Sequence, residues 1–573
     1  MASYKTPLRD MRFVYNELFD AEAIQALPGC EEVTPDLVDA ILEEAGKFCE
    51  ERLFPLNRSG DEEGCHFEDG KVTTPVGLKE AYRDFNEMGW GALAADPEYG
   101  GQGLPNAISM MVEEIMCSTN FAFGLYPGLT HGAYNALIAR ASDELKQAYL
   151  PNMVSGKWSG SMCLTEPQCG TDLGMIRTRA VPQTDGSYHI TGTKMFITAG
   201  EHDLTENIIH LVLARTPDAP NGIKGISLFL VPKIQVNPDN SLGEPNGVSC
   251  GSIEHKMGIN ASATCLINFD EARGFLVGEL NKGMEAMFIM MNIERLAVGI
   301  QGLGIGEASY QGAVAYARER LQGRSLTGPK SPDKPADSLL VHPDVRRMLL
   351  TQRAYVEGNR ALAGWVATEM DHAQRNPDSR RRQEAEDFVA LMTPIVKAFM
   401  TDTGSEVANL GMQVFGGHGY IREHGMEQYV RDARIAQIYE GTNGIQAMDL
   451  VGRKMPAHMG RYLRRFFHPV RDYLESKEHD FSMHAYLMPL AKAFGRLQKA
   501  TAVIAQKGMA NPDETGAAAA EYLRLFALVA LGYLWMRMAD IGKQKRDEDN
   551  LFYQAKVDTA RFYFERILPQ SGA

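Results

Sequence analysis

The chain has 573 residues, too many for one hydrophobic core, and its length predicts about three or four domains. Hydrophobic residues at 44% and charged residues at 23% argue against a disordered chain, and a formal charge of −15 argues against a nucleic-acid backbone as the main partner, which would need clustered Lys and Arg. Eight cysteines (Cys30, Cys49, Cys65, Cys117, Cys163, Cys169, Cys250 and Cys265) form no CxxC pair and no zinc-ligand spacing, so they predict reduced thiols, no metal centre and a cytoplasmic location.

The first ten residues include Lys5, Arg9 and Asp10 with no apolar run after them, unlike a secretory leader. Leu37, Ile41, Leu42, Ala45 and Phe48 recur at helical spacing and predict a helix over 37–48, with Thr34 as its cap. Residues 78–88 and 107–116 look similar, with the turn-rich 96–103 between them. Residues 1–157 are therefore expected to form an N-terminal helical domain. From 158 to 275 the period changes. Segments 188–192, 194–198, 208–214, 226–231 and 264–269 are rich in β-branched and aromatic residues and predict a middle β-domain.

Helices return over 276–455, at 284–322, 345–373 and 387–414, with the polar 323–337 between the first two. Gly302, Gly304 and Gly306 lack the preceding strand and the glycine spacing of a dinucleotide-binding turn, and are expected to let helices pack closely. Residues 456–573 form a further helical domain, and no internal repeat is visible. Glu521, Arg524 and Arg537 interrupt its most apolar stretch, 517–539. The uncharged 525–536 is shorter than the roughly 20 residues a membrane span needs, so a buried bundle helix is expected and membrane contact is not.

Four segments carry candidate chemistry. Met162-Cys163-Leu164-Thr165-Glu166-Pro167-Gln168-Cys169-Gly170-Thr171-Asp172 combines hydroxyls, turn residues and open backbone amides that suit a planar ring with polar edges; a plain strand-to-turn transition has the same composition. Met195-Phe196-Ile197-Thr198 places an aromatic ring two residues from a hydroxyl on one strand face, either to stack on a ligand or simply as a half-buried strand. Gln413-Val414-Phe415-Gly416-Gly417-His418-Gly419-Tyr420 reads as a glycine helix stop that leaves backbone open to a ligand. In Arg431 to Gln446, Glu440 follows Ile438 and Tyr439 and precedes Gly441. A carboxylate in such an apolar pocket would have its proton affinity raised, as a base for a weak carbon acid needs, whereas an exposed helix Glu is the plain alternative.

In this order and spacing the four segments resemble the acyl-CoA dehydrogenase family over roughly residues 35–455. With its helical tail the whole chain is most similar to the larger bacterial branch, which includes 3-methylmercaptopropionyl-CoA dehydrogenases and related fatty acyl-CoA dehydrogenases. The resemblance implies an α+β, mainly α fold: an N-terminal helical domain, a middle β-barrel-like domain and a C-terminal helical bundle, here with the extra helical domain. It also implies FAD as cofactor, an acyl-CoA substrate, an electron-transferring flavoprotein as partner and a homodimer acting in fatty acid β-oxidation.

The same resemblance assigns residues. Met162, Leu164, Thr165, Gly170 and Thr171 would lie along the flavin, with Phe196 at a position usually held by Trp and Ile197 and Thr198 after it. Arg320 would bind the FAD pyrophosphate. The following Leu321-Gln322-Gly323-Arg324 departs from the usual pattern and leaves the adenine-side contacts open. Gln413, Gly416 and Gly417 would meet the adenosine end across a dimer, and Thr442, Asn443 and Gly444 would add FAD contacts. Glu440 would be the catalytic base. Its backbone amide and a ribityl hydroxyl would hold the thioester carbonyl. Thr171, Arg295 and Gly441 would meet substrate, Arg295 by anchoring the CoA part. Glu294, before Arg295, stands where some relatives carry the base; with Glu440 present it is expected to be a cation's partner or a helix-surface acid. An oxygen-using acyl-CoA oxidase and a non-catalytic flavin carrier are the competing readings.

Overall fold

The Thr34 hydroxyl accepts the Leu37 amide at 3.3 Å, so the helix Pro35–Phe48 starts where its cap was expected. The computed structural model describes residues 4–573, excepting the side chains of 288–292. The chain divides into two compact units. One comprises Met1–Lys47, Pro105–Thr119 and Arg295–Ala573 and is helical; the other comprises Phe48–Leu104 and Asn120–Glu294 and holds the sheet. The mainly helical α+β architecture is the one the sequence predicts.

In the helical unit, Pro343–Arg375 and Ser379–Phe415 run back along each other through a three-residue link capped by Asp378. Gly302 and Gly404 let two helices approach closely. A Cβ on Gly302 would lie 2.9 Å from Thr401 Cα, and one on Gly404 would lie 2.7 Å from Gly302 Cα. The three spaced glycines serve helix packing, not a nucleotide. Pro512–Gln544 is long and apolar enough to cross a membrane, yet 67% of its most apolar window is buried in its own unit. There Trp535 Nε1 donates to Ala354 O at 3.1 Å.

The 1–157 region does not stay together: residues up to Lys47 and Pro105–Thr119 belong with the C-terminal helices. Charge matching explains this. Arg360, buried on Pro343–Arg375, bonds Glu114 and Glu307 at 2.5 Å each and also pairs with Asp10. Lys556 pairs with Asp10 and with Glu357 at 2.8 Å. Burial raises the proton affinity of Asp10, but Lys556 and Arg360 overcome it and hold the group at about 2.

In the other unit we label seven strands: β1 (Trp158–Cys163), β2 (Arg179–Pro182), β3 (Tyr188–Thr198), β4 (Asn207–Ala214), β5 (Ser227–Pro232), β6 (Val248–Ile253) and β7 (Thr264–Val277). Their order is β1-β4-β5-β7-β3-β2, with β6 on β7; β1 and β4 are parallel and the other pairs antiparallel. β7 kinks near Glu271, at φ 50°, and its last three residues leave β3 to pair with β5. Ala180 N donates to Arg215 O at 2.8 Å, and Arg215 N to Thr178 O at 2.9 Å, returning β2 to the end of β4 and closing the barrel. β4 is buried on both faces, which is why 208–214 is apolar but for His210. Phe121–Arg140, capped by Asn120 at 3.0 Å, is the element the apolar spacing did not reveal: it is buried nearly all round and has no polar stripe.

Candidate active site

Glu440 lies in the turn between the helices Met426–Ala436 and Asn443–Asp449. Glu440 and Gly441 both adopt left-handed backbone, at φ 54° and 83°. Glycine takes that conformation freely, whereas in Glu it stores strain that only the surroundings can hold. The surroundings do so through hydrogen bonds. Asn443 N donates to Gln437 O at 3.1 Å, and the buried Gln446 donates its Nε2 to Gly441 O at 2.9 Å. Tyr439 anchors its hydroxyl on Gln301.

The Glu440 side chain is half-buried, and among the described residues nothing hydrogen-bonds its carboxyl or accepts its backbone N–H. Burial raises its proton affinity above the ordinary value; Lys397 and then Arg295 pull it back down. A carboxylate with raised basicity, free of any ion pair, beside an unused N–H donor can remove a proton while that donor holds an oxygen of the same molecule.

The two cations are set differently. Arg295 is buried and pairs with Asp449 at 3.0 Å, so the structure gives it an internal partner where a CoA contact was expected. Lys397 is fully buried on Ser379–Phe415 and donates to Asn443 Oδ1 at 2.9 Å. The Asn443 amide nitrogen donates to Asp402 Oδ1 at 2.7 Å and to Thr401 Oγ1 at 3.0 Å. Asn443 therefore turns its side chain into the bundle. Lys397 was missed in the sequence because a lone Lys among apolar helix residues reads as a solvated position. Glu294 is buried, not a surface acid.

The other assigned positions of this unit stand open. Thr442, Gly444, Gln413, Gly416, Gly417 and Arg320 are exposed, and a Cβ on Gly416, Gly417 or Gly444 would meet nothing within 4 Å. Tyr316 stacks on Phe415 with centroids 4.0 Å apart and shares a 2.7 Å hydrogen bond with His418. This brings the glycine turn to the helix end that carries Arg320.

In the sheet unit, the segment after β1 and the end of β3 are joined: Met195 N donates to Thr165 O at 3.0 Å. Phe196 sits in a bulge of β3 at φ 59° and is 56% exposed, while Ile197 beneath it is buried. Gly170 and Thr171 are exposed, Leu164, Thr165 and Thr198 are half-buried, and Met162 is buried. Glu166 is structural: its buried carboxylate accepts Lys194 Nζ at 2.8 Å, Thr178 Oγ1 at 2.6 Å and Arg177 N at 2.7 Å. Sequence reading missed this anchor, whose partners are Lys194 on β3 and Arg177 and Thr178 just before β2.

Known proteins resemble this chain along nearly its whole length. Three family models match nearly end to end: "Acyl-CoA dehydrogenase, N-terminal domain" over 36–157, "middle domain" over 161–272 and "C-terminal domain" over 281–455. "Acetyl-CoA dehydrogenase C-terminal like" matches 466–573. The 3-methylmercaptopropionyl-CoA dehydrogenase of Ruegeria pomeroyi is 43% identical over 100% of this chain and 97% of its own. The Caenorhabditis elegans protein ACDH-11, solved in complex with C11-CoA, shares the fold at TM-score 0.79 and 18% identity, over 99% of this chain and 92% of that one. An acyl-CoA dehydrogenase of Bacillus anthracis, solved with FAD, does so at TM-score 0.72 and 19% identity, over 99% and 91%. A 43% relative and family models that together match most of the chain leave one assignment: this protein belongs to the acyl-CoA dehydrogenase family.

Proposed function

We propose that the chain is an FAD-dependent acyl-CoA dehydrogenase that converts an acyl-CoA thioester to a trans-2-enoyl-CoA, with Glu440 as the base. The observation that carries this reading is the Glu440 carboxyl itself: raised in basicity, bonded to no protein donor among the described residues, and held in a strained turn. Strain and a perturbed carboxyl together mark sites of chemistry more often than sites of packing.

The residues present fit FAD. In the sheet unit an aromatic ring is held outward by a positive φ, next to the half-buried hydroxyls of Thr165 and Thr198 and the open Thr171. A planar ring with polar edges needs these groups. In the helical unit an exposed Arg320 stands by a glycine turn with open backbone, which suits a diphosphate. When bound, FAD supplies the hydride acceptor for the β-carbon.

The chain's own residues do the rest. The Glu440 carboxylate takes the proton from carbon 2 of the acyl group. The Glu440 backbone N–H donates to the thioester oxygen as negative charge gathers there, a contribution of a few kcal/mol, about that of one oxyanion donor. Gln446 holds the Gly441 and Glu440 carbonyls on the other side of the turn, so that the N–H stays directed outward.

An electron-transferring flavoprotein as acceptor, a homodimer and a cytoplasmic site of action complete the proposal, with 3-methylmercaptopropionyl-CoA or a short fatty acyl-CoA as substrate. Anaerobic titration with butyryl-CoA and 3-methylmercaptopropionyl-CoA tests it. Wild type bleaches the flavin, and Glu440→Gln stays yellow; a Gln variant that bleaches at the wild-type rate removes Glu440 from the role.

A further inference from the structure

The turn carrying Glu440 is tied to the helix Ser379–Phe415 by one network. Lys397 Nζ donates to Asn443 Oδ1 at 2.9 Å, and Asn443 in turn bonds Thr401, Asp402 and the Ala398 carbonyl. Gln437, at the other end of the same turn, donates to Asp402 Oδ1 at 2.6 Å. Lys397 is 0% exposed, and among the described residues it makes no ion pair. A buried ammonium with a neutral amide as its partner is costly unless a carboxylate shares its field.

Three charged groups, on three elements, act on it. On its own helix stands Asp402, already accepting from two amides. On Gly283–Glu319 stands Arg295, matched at 3.0 Å by Asp449 at the end of the helix Asn443–Asp449, with Arg453 and Lys454 beyond it. On the turn stands Glu440. The Lys397 charge thus has one carboxylate facing it that no protein donor has engaged.

Resting on the reading of Glu440 as base, we propose that Lys397 is a positioning residue for this reaction: its buried ammonium, fixed by Asn443, keeps the Glu440 carboxyl ionised and ready to accept a proton. Each residue appears in the other's electrostatic environment, Glu440 opposing the burial that draws Lys397 down to about 8 and Lys397 opposing the burial that raises Glu440. A direct ion pair would serve less well, because it would lock the carboxylate away from substrate. The network holds the charge one residue removed.

The test is the pH dependence of anaerobic flavin reduction by saturating butyryl-CoA in FAD-loaded enzyme. Lys397→Met moves the midpoint of the base limb to higher pH by about one unit or more, so that the rate at pH values below the wild-type midpoint falls about tenfold and recovers as pH rises. Lys397→Arg keeps the wild-type midpoint. An unchanged midpoint in Lys397→Met, whatever its plateau, overturns the proposal, since a purely structural lysine would lower the plateau alone. If the Met variant fails to retain flavin, Lys397→Gln carries the same comparison. A Lys397→Arg midpoint displaced from wild type overturns it independently. Glu440→Gln separates the two readings: bleaching by that variant removes the base assignment, whereas an inert Glu440→Gln beside an unshifted Lys397→Met removes only the lysine's role.

Discussion

Lys194 and Glu166 meet at 2.8 Å with neither side chain more than 3% exposed, and the same ammonium donates to Leu164 O at 3.0 Å. The pair clamps the segment that runs past Thr165 to Thr171 onto β3. Burial alone would raise the Glu166 proton affinity, but Lys194 and the amide and hydroxyl donors bring it to about 2.

Loss of that clamp should release flavin before it unfolds the protein. Glu166→Gln leaves a buried ammonium without its counter-charge, a change that costs about 3–5 kcal/mol in comparable sites. We expect the variant to lose yellow colour on gel filtration and to melt earlier. The pH sign is fixed by the lowered value. The pair's contribution is complete above the ordinary Glu range and disappears as pH falls through about 2, so wild type loses more stability than Glu166→Gln across that acid window. Thermal melts at a series of acid pH values check this.

Glu440 carries the opposite sign. Its raised value favours the protonated form in the fold, so its stabilising contribution is present below the ordinary Glu value and lost as pH rises through the folded one. Flavin reduction should therefore increase with pH while the group's effect on stability declines. Glu440→Gly should relieve the left-handed strain by about 1–2 kcal/mol and raise the melting temperature while abolishing reduction. A variant that melts no later than wild type would show that the φ of 54° stores no strain.

Phe196→Ala should weaken flavin retention while leaving the melting temperature of flavin-free protein nearly unchanged, because the ring is 56% exposed and supports little packing. Fluorescence titration of the apoprotein with FAD gives the affinity, and a base-stacking ring is worth about 1–3 kcal/mol in analogous sites.

Arg360→Met should be among the most damaging single changes. It strands Asp10, Glu114 and Glu307 together in the helical unit, and breaking a buried pair alone costs about 3–5 kcal/mol. Limited proteolysis should then cut first among the N-terminal residues, whose Asp10 keeps Lys556 as its ion-pair partner among the described residues.

Much of the architecture was legible locally. Helices at 37–48, 78–88 and 107–116 and strands at 208–214 and 226–231 were signalled by their own periodicity, and each occurs within a few residues of its expected bounds. Phe121–Arg140 escaped because burial on all sides erases the pattern that periodicity reads. Gly192 looked like a break between two strands, yet β3 runs through it, since a small residue there admits Thr178 of the neighbouring chain segment.

The sequence alone determined the family, the type of most long elements and the identity of the candidate base, because these depend on residue type and spacing along one segment. Tertiary structure decided which charges would face each other. Asp10 joined Arg360 and Lys556, Arg295 turned inward to Asp449, and Lys397 came to lie behind the Glu440 turn. Those relations join residues distant in the chain, and the proton affinity of a buried group is set by its neighbours in space and its depth from water, neither of which is written in the order of residues.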